Sequence, residues 1–247
     1  MIPPIVREHG GVSVIRDDLY PGGTKARFMP VLFEGANEAV YASPAEGGAQ
    51  TALATVAMEF GSQATIFVAA RAKLHPRTLE AAKLGAKVVP VRPGFRAVVQ
   101  ARAKDYAKTN GARLVPFGVD LPEAITRLED AALATGLDPD EVWCAAGSGV
   151  LARALAQAWP NSLSVEEPAR RHVVQVGREL AAKDVAGAAI HIYPRPFSDV
   201  VKALPPFPSG PLYDAKAWEV LGLDPGMTAR KGPDRVVFWN VAGPARP

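Results

Sequence analysis

The sequence predicts an α/β fold built mostly from parallel sheets with helices on both faces. Short apolar runs alternate with helical stretches along most of the chain, the order expected of repeated strand–helix units. The apolar runs are nearly continuous, as in strands whose two faces are both covered. Several of the helical stretches end at a glycine, the residue that most readily adopts the left-handed conformation at a helix C-terminus.

The predicted strands are short runs rich in valine, isoleucine and alanine. They cover residues 12–16, 38–42, 63–69, 86–91, 112–117, 141–145, 172–176, 188–193 and 235–240. Ligands of open α/β sheets bind at the carboxyl ends of the strands. The loops that follow these runs are therefore where functional residues are expected.

The predicted helices lie between these strands and cover residues 25–34, 49–60, 75–84, 95–110, 121–135, 150–159 and 213–221. Four of them stop at a glycine, namely Gly61, Gly85, Gly111 and Gly136. The proline-rich segment 194–211 is too long for a turn and is expected to be an ordered crossing loop that lines a site. The polar stretch 161–171 is expected to be exposed.

Composition places the chain among cytoplasmic globular proteins. Hydrophobic residues make up 48% and charged residues 21% of its 247 residues. No apolar run reaches the roughly 18–20 residues of a membrane helix, and the N-terminus has no signal-peptide pattern. The single cysteine, Cys144, lies in an apolar strand and is interpreted as a buried structural thiol. The four histidines are scattered, so no metal site is expected.

Two glycine-containing loops follow predicted strands. Gly147-Ser148-Gly149 precedes a helix, and this arrangement lets backbone N–H groups and the helix N-terminus bind a phosphate. The alternative is a tight turn without a ligand. Lys25 follows Gly22-Gly23-Thr24 at a predicted helix start, where the positive end of the helix would disfavour its charged form and make it a better nucleophile. The alternative is a surface lysine.

The segment RDDLYPGGTKAR resembles the lysine segment of the PLP-dependent enzymes related to ACC deaminase and D-cysteine desulfhydrase. The resemblance implies the fold type II, tryptophan synthase β-like architecture with two lobes, 1–36 plus 117–247 and the inserted 37–116. It implies pyridoxal 5′-phosphate held by Lys25 as a Schiff base, with the phosphate bound by Gly147, Ser148, Gly149 and Val150. Family members are commonly homodimers of amino acid metabolism.

Two C-terminal segments extend the resemblance. GPLYDAKAWEVL is similar to a family segment with Tyr and Lys in the same order, so Tyr213 is a candidate second acid/base. The alternative for Tyr213 is a helix-start residue that packs on the proline-rich loop. FWNVAG stands where relatives carry a His-Thr-Gly-Gly type motif. Val241 occupies the position of the Thr that meets the pyridine nitrogen, which makes Asn240 the candidate partner of that nitrogen. The alternative for Asn240 is a strand-end residue that satisfies backbone groups.

The loop before the helix 49–60 departs from the family. Relatives carry a Ser-Asn-His or Ser-x-Gly-Asn loop that holds the substrate carboxylate, whereas this chain has Gly47-Gly48-Ala49. Ser43, Gly47, Gly48 and Gln50 are the candidate substrate-binding residues, and Glu46 is an alternative to Gln50. A site without the usual clamp suits an unusual amino acid or one attached to a larger molecule, and it suits decarboxylation. Elimination and deamination remain open.

Two other functions are compatible with the sequence. A phosphoribosyltransferase would use Asp17-Asp18 for ribose hydroxyls and Gly22-Gly23-Thr24 for a phosphate, although the spacing is one residue short. A degenerate PLP-fold protein would bind a partner without catalysis. The net charge of +3 and pI near 9.0 allow a nucleic-acid-linked substrate, but no basic stripe favours one.

Overall fold

A computed structural model describes residues 2–160, 171–176, 185, 187–223 and 235–245 of the chain. Its strands are β1 (Val6–His9), β2 (Val12–Arg16), β3 (Glu38–Ala42), β4 (Gln63–Ala69), β5 (Lys87–Val91), β6 (Arg113–Leu114), β7 (Glu141–Ala146), β8 (Arg171–Gln175), β9 (Ala188–Ile192) and β10 (Val236–Asn240). Its helices are α1 (Ala49–Glu59), α2 (Pro76–Lys83), α3 (Arg96–Asn110), α4 (Pro122–Leu133), α5 (Val150–Ala158) and α6 (Asp214–Leu223). The predicted alternation of strands and helices is confirmed.

The chain divides into two compact units, each with its own sheet. Unit 1 is Met1–Tyr20 with Ala124–Pro244, and unit 2 is Pro21–Glu123 with Ala245–Pro247. The bounds differ from the division at residues 37 and 116 expected from the resemblance, because residues 21–36 group with unit 2. The division into an inserted lobe and a larger lobe stays a prediction.

Unit 1 contains a six-stranded sheet in the order β1-β2-β10-β7-β8-β9. All neighbours are parallel except β1 and β2, which form an antiparallel pair at the edge. Strand β1 was not expected, since its sequence VREH has no apolar periodicity and its outer edge is unpaired within the described sheet. Trp143, Val174 and Phe238 are completely buried at the centre of this unit's core.

Unit 2 contains a four-stranded, fully parallel sheet in the order β5-β4-β3-β6. Helix α3 packs on one face through Val99, Ala103 and Ala107, which join the core around Val40 and Phe67. Helix α1 is buried along nearly all of its length, which explains its run of alanines and the lack of a polar face. Burying a valine or phenylalanine in such a core contributes about 1.5–3 kcal/mol.

Two predicted elements are shorter or different because of proline. The helix expected at 25–34 is instead two 3₁₀ turns, Thr24–Arg27 and Met29–Phe33. Pro30 has no N–H, and its ring would clash with the preceding turn of a continuous α-helix. The strand expected at 112–117 is reduced to Arg113–Leu114, and Pro116 cannot donate a ladder hydrogen bond beyond it.

The polar stretch 161–171 falls mostly outside the described residues. Arg171 is described and is buried, so the expectation of exposure is wrong at that position. Its guanidinium donates to the carbonyl oxygens of Trp159 and Pro160, which are 3.1 and 3.0 Å away. In the described part of the chain no helix combines the length and apolarity needed to cross a membrane.

Candidate active site

The carboxyl edge of the unit 1 sheet gathers several of the residues that the sequence singled out. Asp17 and Asp18 follow β2, Asn240 ends β10, and Gly147 follows β7. The three strands are neighbours in one parallel array, and the register places Asn240 opposite Arg16. Because parallel strands end at the same edge, the sheet brings these residues to one side of unit 1.

The loop Gly147–Gly149 has the geometry of an anion-binding turn. Gly149 is the N-terminal cap of α5, with φ of +78°, a left-handed conformation that favours glycine. Gly147 and Ser148 are half-buried, whereas Gly149 and Val150 are buried. Helix α5 is nine residues long and presents its N-terminus at this turn, where the unpaired N–H groups and the helix dipole attract negative charge.

Asn240 is buried in a dense polar network. Its side-chain nitrogen donates to Asp18 Oδ1 at 2.8 Å and to the carbonyl oxygen of Pro208 at 2.9 Å. Asp18 also receives two hydrogen bonds from the Arg16 guanidinium, at 2.7 and 2.8 Å. Both contacts of the nitrogen are with acceptors, so the amide orientation is determined.

The oxygen of that amide is different. Among the residues that the structure describes, no donor reaches Asn240 Oδ1, although the atom is completely buried. Ser209 Oγ, next to Pro208 in the chain, is buried with no partner in the same described set. Buried polar atoms are normally hydrogen-bonded, so each of these two atoms is an exception within the described part of unit 1.

Tyr213 lies beside the glycine turn. Its phenol oxygen is 3.5 Å from the carbonyl oxygen of Ala145, and a Cβ added to Gly147 would lie 3.4 Å from the same phenol oxygen. Desolvation raises the pKa of Tyr213 far above its ordinary value, the charge of Asp214 and the nearby Cys144 raise it further, and a backbone hydrogen bond from Gly147 opposes the rise. The phenol is therefore protonated at neutral pH.

A turn at Gly210 positions Tyr213. Gly210 N–H donates to the carbonyl oxygen of Ala242 at 3.0 Å, just beyond β10, and Tyr213 N–H donates to the carbonyl oxygen of Gly210 at 3.0 Å. The end of the proline-rich loop is thus tied to the strand that ends in Asn240. The expectation that the loop 194–211 is an ordered crossing loop stays a prediction.

Cys144 is a buried thiol of β7. Burial, with a contribution from the charge of Asp214, raises the pKa of Cys144 to about 12. A thiol in this state carries almost no thiolate at neutral pH and is inert as a nucleophile. The interpretation of Cys144 as a structural residue is confirmed.

Lys25 belongs to unit 2, in the 3₁₀ turn Thr24–Arg27. The glycine pair before it has positive φ at both residues, +77° at Gly22 and +70° at Gly23. A Cβ on Gly22 would lie 2.8 Å from Ala26 Cβ and 3.1 Å from Ala52 Cα, so only glycine lets the turn pack on α1. The expected helix start at Lys25 is wrong, and the helix-dipole argument for its reactivity does not apply to a four-residue turn.

The loop after β3 holds the four candidate substrate-binding residues. Ser43 Oγ donates to the carbonyl oxygen of Pro44 at 2.8 Å, and Gly47 N–H donates to the same carbonyl at 3.1 Å. Gln50 Nε2 donates to the carbonyl oxygen of Ala45 at 2.7 Å, while its buried Oε1 has no partner among described residues. Gly48 is the N-terminal cap of α1.

The same loop also borders open space. Ser43 lines a cavity of about 180 Å³ within unit 2, and Gly47, Gly48 and Gln50 do not line it. Ser43 is therefore the one residue of these four that borders the cavity, although it is buried and its hydroxyl is bonded to Pro44.

The acidic pair is not arranged for ribose hydroxyls. Asp17 is completely buried and accepts a hydrogen bond from Trp239 Nε1 at 3.1 Å, and Asp18 is bonded to Arg16 and Asn240. Carboxylates engaged in buried hydrogen bonds are unsuited to binding a sugar from solvent. This geometry argues against the phosphoribosyltransferase alternative.

Sequence reasoning missed Ser209 and the structural role of Arg16. Ser209 follows Pro208 and precedes Gly210-Pro211, and this context indicates a turn rather than a ligand contact. Arg16 lies in the segment RDDLYPGGTKAR, but nothing in that segment indicates its role. Its bidentate pairing with Asp18 depends on how the chain folds at the end of β2. In the described ranges no group of three or more His, Cys, Asp or Glu residues could hold a metal ion.

Comparison with known sequences gives one informative relative. No family model matches the chain. A "Glycyl-dTMP PLP-dependent decarboxylase" of Pseudomonas phage M6 is 27% identical over 181 residues. The matched part is 65% of this chain and 64% of that protein, so the chain spans somewhat less than two thirds of the relative's length.

Comparison with solved structures identifies the fold. An ACC deaminase homologue matches with a TM-score of 0.78 and 17% identity, covering 98% of this chain and 90% of that chain. O-acetyl serine sulfhydrylase isoform 3 from Entamoeba histolytica has a TM-score of 0.70 and 12% identity, over 98% and 85% of the two chains. The processed form of threonine deaminase isoform 2 from Solanum lycopersicum has a TM-score of 0.67 and 14% identity, over 96% and 76%. The chain therefore has the tryptophan synthase β-like fold of fold type II PLP enzymes.

Proposed function

We propose that this chain is a PLP-dependent lyase that decarboxylates an amino acid group attached to a nucleotide. The observation that carries the cofactor assignment is the carboxyl edge of the unit 1 sheet. There a glycine turn at a helix N-terminus accompanies a buried Asn240 whose Oδ1 lacks a partner among described residues. A cofactor with a phosphate and a protonated ring nitrogen matches these two features in charge and hydrogen-bonding capacity.

The residues take the following roles in the proposal. Lys25 supplies the amine that binds the cofactor aldehyde. The phosphate would be held by the turn and the first residue of α5, namely Gly147, Ser148, Gly149 and Val150. The ring nitrogen would be held by the side-chain amide of Asn240. The substrate is held by the loop after β3, namely Ser43, Gly47, Gly48 and Gln50.

The side chains of this protein supply proton transfer and orientation. When bound, PLP accepts the electrons of a bond broken at the substrate α-carbon. The Lys25 amine would hold the cofactor aldehyde in the resting protein and would move a proton at the substrate α-carbon. Tyr213, which is protonated at neutral pH, acts as a hydrogen-bond donor and second acid. The Arg16–Asp18 pair holds the side-chain nitrogen of Asn240, so the amide oxygen would be the atom left to hold the ring nitrogen.

Two observations support decarboxylation over elimination or deamination. The loop 43–48, SPAEGG, contains no basic residue and lacks the amide found in relatives. A firm grip on the departing carboxylate would stabilise the ground state more than the transition state and would slow its loss. The phage M6 relative is named as a decarboxylase of glycyl-dTMP, which supports a nucleotide-linked amino acid as the substrate class.

The test combines spectroscopy with product analysis. The purified protein is expected to show a visible absorption band, and borohydride reduction followed by mass mapping is expected to label Lys25. The loaded enzyme is then given glycyl-dTMP and, separately, free glycine, and CO₂, ammonia and the corresponding 2-oxo acid are measured. CO₂ release from glycyl-dTMP alone is expected.

Three results would count against the proposal. A label on a lysine other than Lys25 would contradict the site assignment. Release of ammonia with the corresponding 2-oxo acid, instead of CO₂, would contradict decarboxylation. A colourless protein that neither binds PLP nor turns over substrate would favour a degenerate binding protein.

We further propose that the enzyme works as a homodimer in the cytoplasm. The fold type II neighbours support a dimer by resemblance, and the buried reduced thiol of Cys144 suits a reducing compartment. Light scattering coupled to size-exclusion chromatography is expected to give twice the mass of 26.1 kDa. A monomer mass across the working concentration range would contradict the dimer.

A further inference from the structure

The carboxyl edge of the unit 2 sheet carries a basic surface beside Ser43, and the cations of this surface have no role in the chemistry described above. Loops follow β3, β4 and β5 along this edge, and α3 begins beside them. A cavity of about 180 Å³ lies among these loops, lined by Ser43, Glu46, Arg71, Arg96 and Phe117 together with smaller residues. Ligands of parallel sheets bind at this kind of edge.

A second cavity of about 240 Å³ continues the first. The two share Ala42, Gln100 and Phe117 as lining residues, and Lys104 lines the second. The combined depression, called here the basic groove, is defined by Glu46, Arg71, Arg96, Gln100, Lys104 and Phe117. All of these residues belong to unit 2.

The three cations of the basic groove lie at an exposed surface of unit 2. Three cations, Arg71, Arg96 and Lys104, accompany one carboxylate, Glu46. Arg71 Nη2 is 3.4 Å from Glu46 Oε1, and the two side chains remain 47% and 29% exposed. An exposed ion pair of this kind contributes little stability, so a phosphate can compete with Glu46 for Arg71.

The groove also offers a flat aromatic surface. The Arg96 guanidinium lies over the Phe117 ring, 5.2 Å from its centroid. Phe95 precedes Arg96 and is 73% exposed. Guanidinium and aromatic planes are the surfaces on which nucleobases stack, and arginine binds phosphate in a fixed geometry.

We infer that the basic groove binds the phosphate and base of a nucleotide that carries the amino acid group. This inference rests on the proposed function and adds the part of the protein that recognises the non-reacting end of the substrate. An arginine that binds the departing carboxylate would stabilise the ground state and slow the loss of CO₂. An arginine that binds the phosphate would not have this effect, because the phosphate stays attached throughout the reaction. Binding at the non-reacting end also orients the amino acid group.

The test measures nucleotide binding to the PLP-loaded full chain by calorimetry. The probes are thymidine 5′-monophosphate, thymidine and a short oligothymidylate. We expect the monophosphate to bind at least about tenfold more tightly than thymidine, as a charge-assisted contact is worth that much or more. Tighter binding of the oligothymidylate would identify DNA as the nucleotide source, and preference for the monophosphate would identify a free nucleotide.

Three variants make the test specific. The double variant Arg71→Gln/Arg96→Gln is expected to lose the advantage of the monophosphate, about tenfold or more. Glu46→Gln removes the competing carboxylate and is expected to tighten monophosphate binding several-fold, a gain that misfolding cannot produce. Arg102→Gln is the matched control, because Arg102 is an exposed arginine of α3 that does not line the groove.

The outcomes separate this inference from the proposed function. Equal binding of thymidine and its monophosphate, or wild-type affinity in the double variant, would overturn the groove assignment even if the visible band and Lys25 labelling are as expected. Selective monophosphate binding that Arg71→Gln/Arg96→Gln removes, in a protein that shows no PLP band, would leave the groove assignment standing and sink the proposed function instead.

Discussion

The carboxyl edges of the two sheets are built in opposite ways. In unit 1 an arginine, Arg16, is paired with Asp18 in a buried contact whose side chains are 10% and 1% exposed. In unit 2 Arg71 is paired with Glu46 at 3.4 Å in a contact that is 47% and 29% exposed. The first pair belongs to a closed hydrogen-bond network with Asn240, and the second borders a cavity.

Under the proposed function, the two edges would have different tasks. A buried ion pair is costly to form and rigid once formed, which would suit a residue that orients a cofactor in every turnover. An exposed pair is weak and exchangeable, which suits recognition of a ligand that enters and leaves. The fold alone does not set the substrate; the open edge of unit 2 is where specificity would be decided.

The largest expected effect is a loss of activity in a variant that leaves the carboxyl edges of both sheets unchanged. Lys25→Ala is expected to lower CO₂ release from glycyl-dTMP by at least about a thousandfold, because no other group replaces the amine that binds the cofactor. The visible band at the Lys25 site disappears as well. Lys83→Ala, which changes an exposed lysine of α2, is the control and is expected to retain both signals. Retained turnover in Lys25→Ala would contradict the assignment.

The comparison of the two ion pairs can be tested by removing each arginine. Arg16→Ala leaves the Asp18 carboxylate buried without its cation and is expected to lower the free energy of unfolding by about 3–5 kcal/mol. Arg71→Ala is expected to cost about 0–1 kcal/mol. Urea unfolding of both variants measures the difference. Equal losses would show that the two edges are not built differently.

Gly22 shows that unit 2, despite its weak exposed ion pair, also contains a position that does not tolerate a larger side chain. Gly22→Ala places a Cβ 3.1 Å from Ala52 Cα at a positive φ of +77° and is expected to cost about 2–4 kcal/mol. Gly48→Ala is the matched control, since nothing lies within 4 Å of its added Cβ and its φ is −68°; its effect is expected to stay within about 0.5 kcal/mol. Thermal and urea unfolding of both proteins provides the comparison.

The last effect is a pH dependence that comes from the interior of unit 1; it is absent below about pH 9 and is therefore the smallest at neutral pH. The pKa of Cys144 rises from 9.0 to about 12 on folding, so the folded state keeps the proton that the unfolded state loses above about pH 9. Stability due to this group is complete below the unfolded value and falls as the pH rises toward the folded one, by up to about 1.4 kcal/mol per pH unit. The difference between wild type and Cys144→Ala in urea unfolding is expected to follow this slope. A pH-independent difference would contradict the assigned burial.

The strands were predictable because their local signal agrees with their tertiary environment. Residues 12–16, 38–42 and 63–69 are apolar runs covered on both faces, and the observed strands β2, β3 and β4 have the same bounds. The 3₁₀ turn at Lys25 was not predicted, because the glycines before Lys25 and the apolar residues after it are also typical of a helix start. Only Pro30 argues against a helix there. The 3₁₀ geometry follows from packing on α1 as much as from local preference.

The candidate site was predictable only where a motif lies within one loop. Gly147–Gly149 and the glycine pair before Lys25 can be located along the chain because strand, turn and following element are consecutive. The contact of Asn240 with Asp18 joins residues 222 positions apart in the sequence. The cations of the basic groove come from separate loops and helices, so no charge stripe appears in the sequence.

The sequence by itself determined the α/β alternation, the glycine turns and the resemblance that points to Lys25, because these depend on residues within a few positions of one another. Only the tertiary structure decided which carboxylates are buried, which amide oxygen lacks a donor among described residues, and which arginines face open space. Those properties depend on residues that the order and register of the strands bring into contact, and no short segment of the sequence specifies that order.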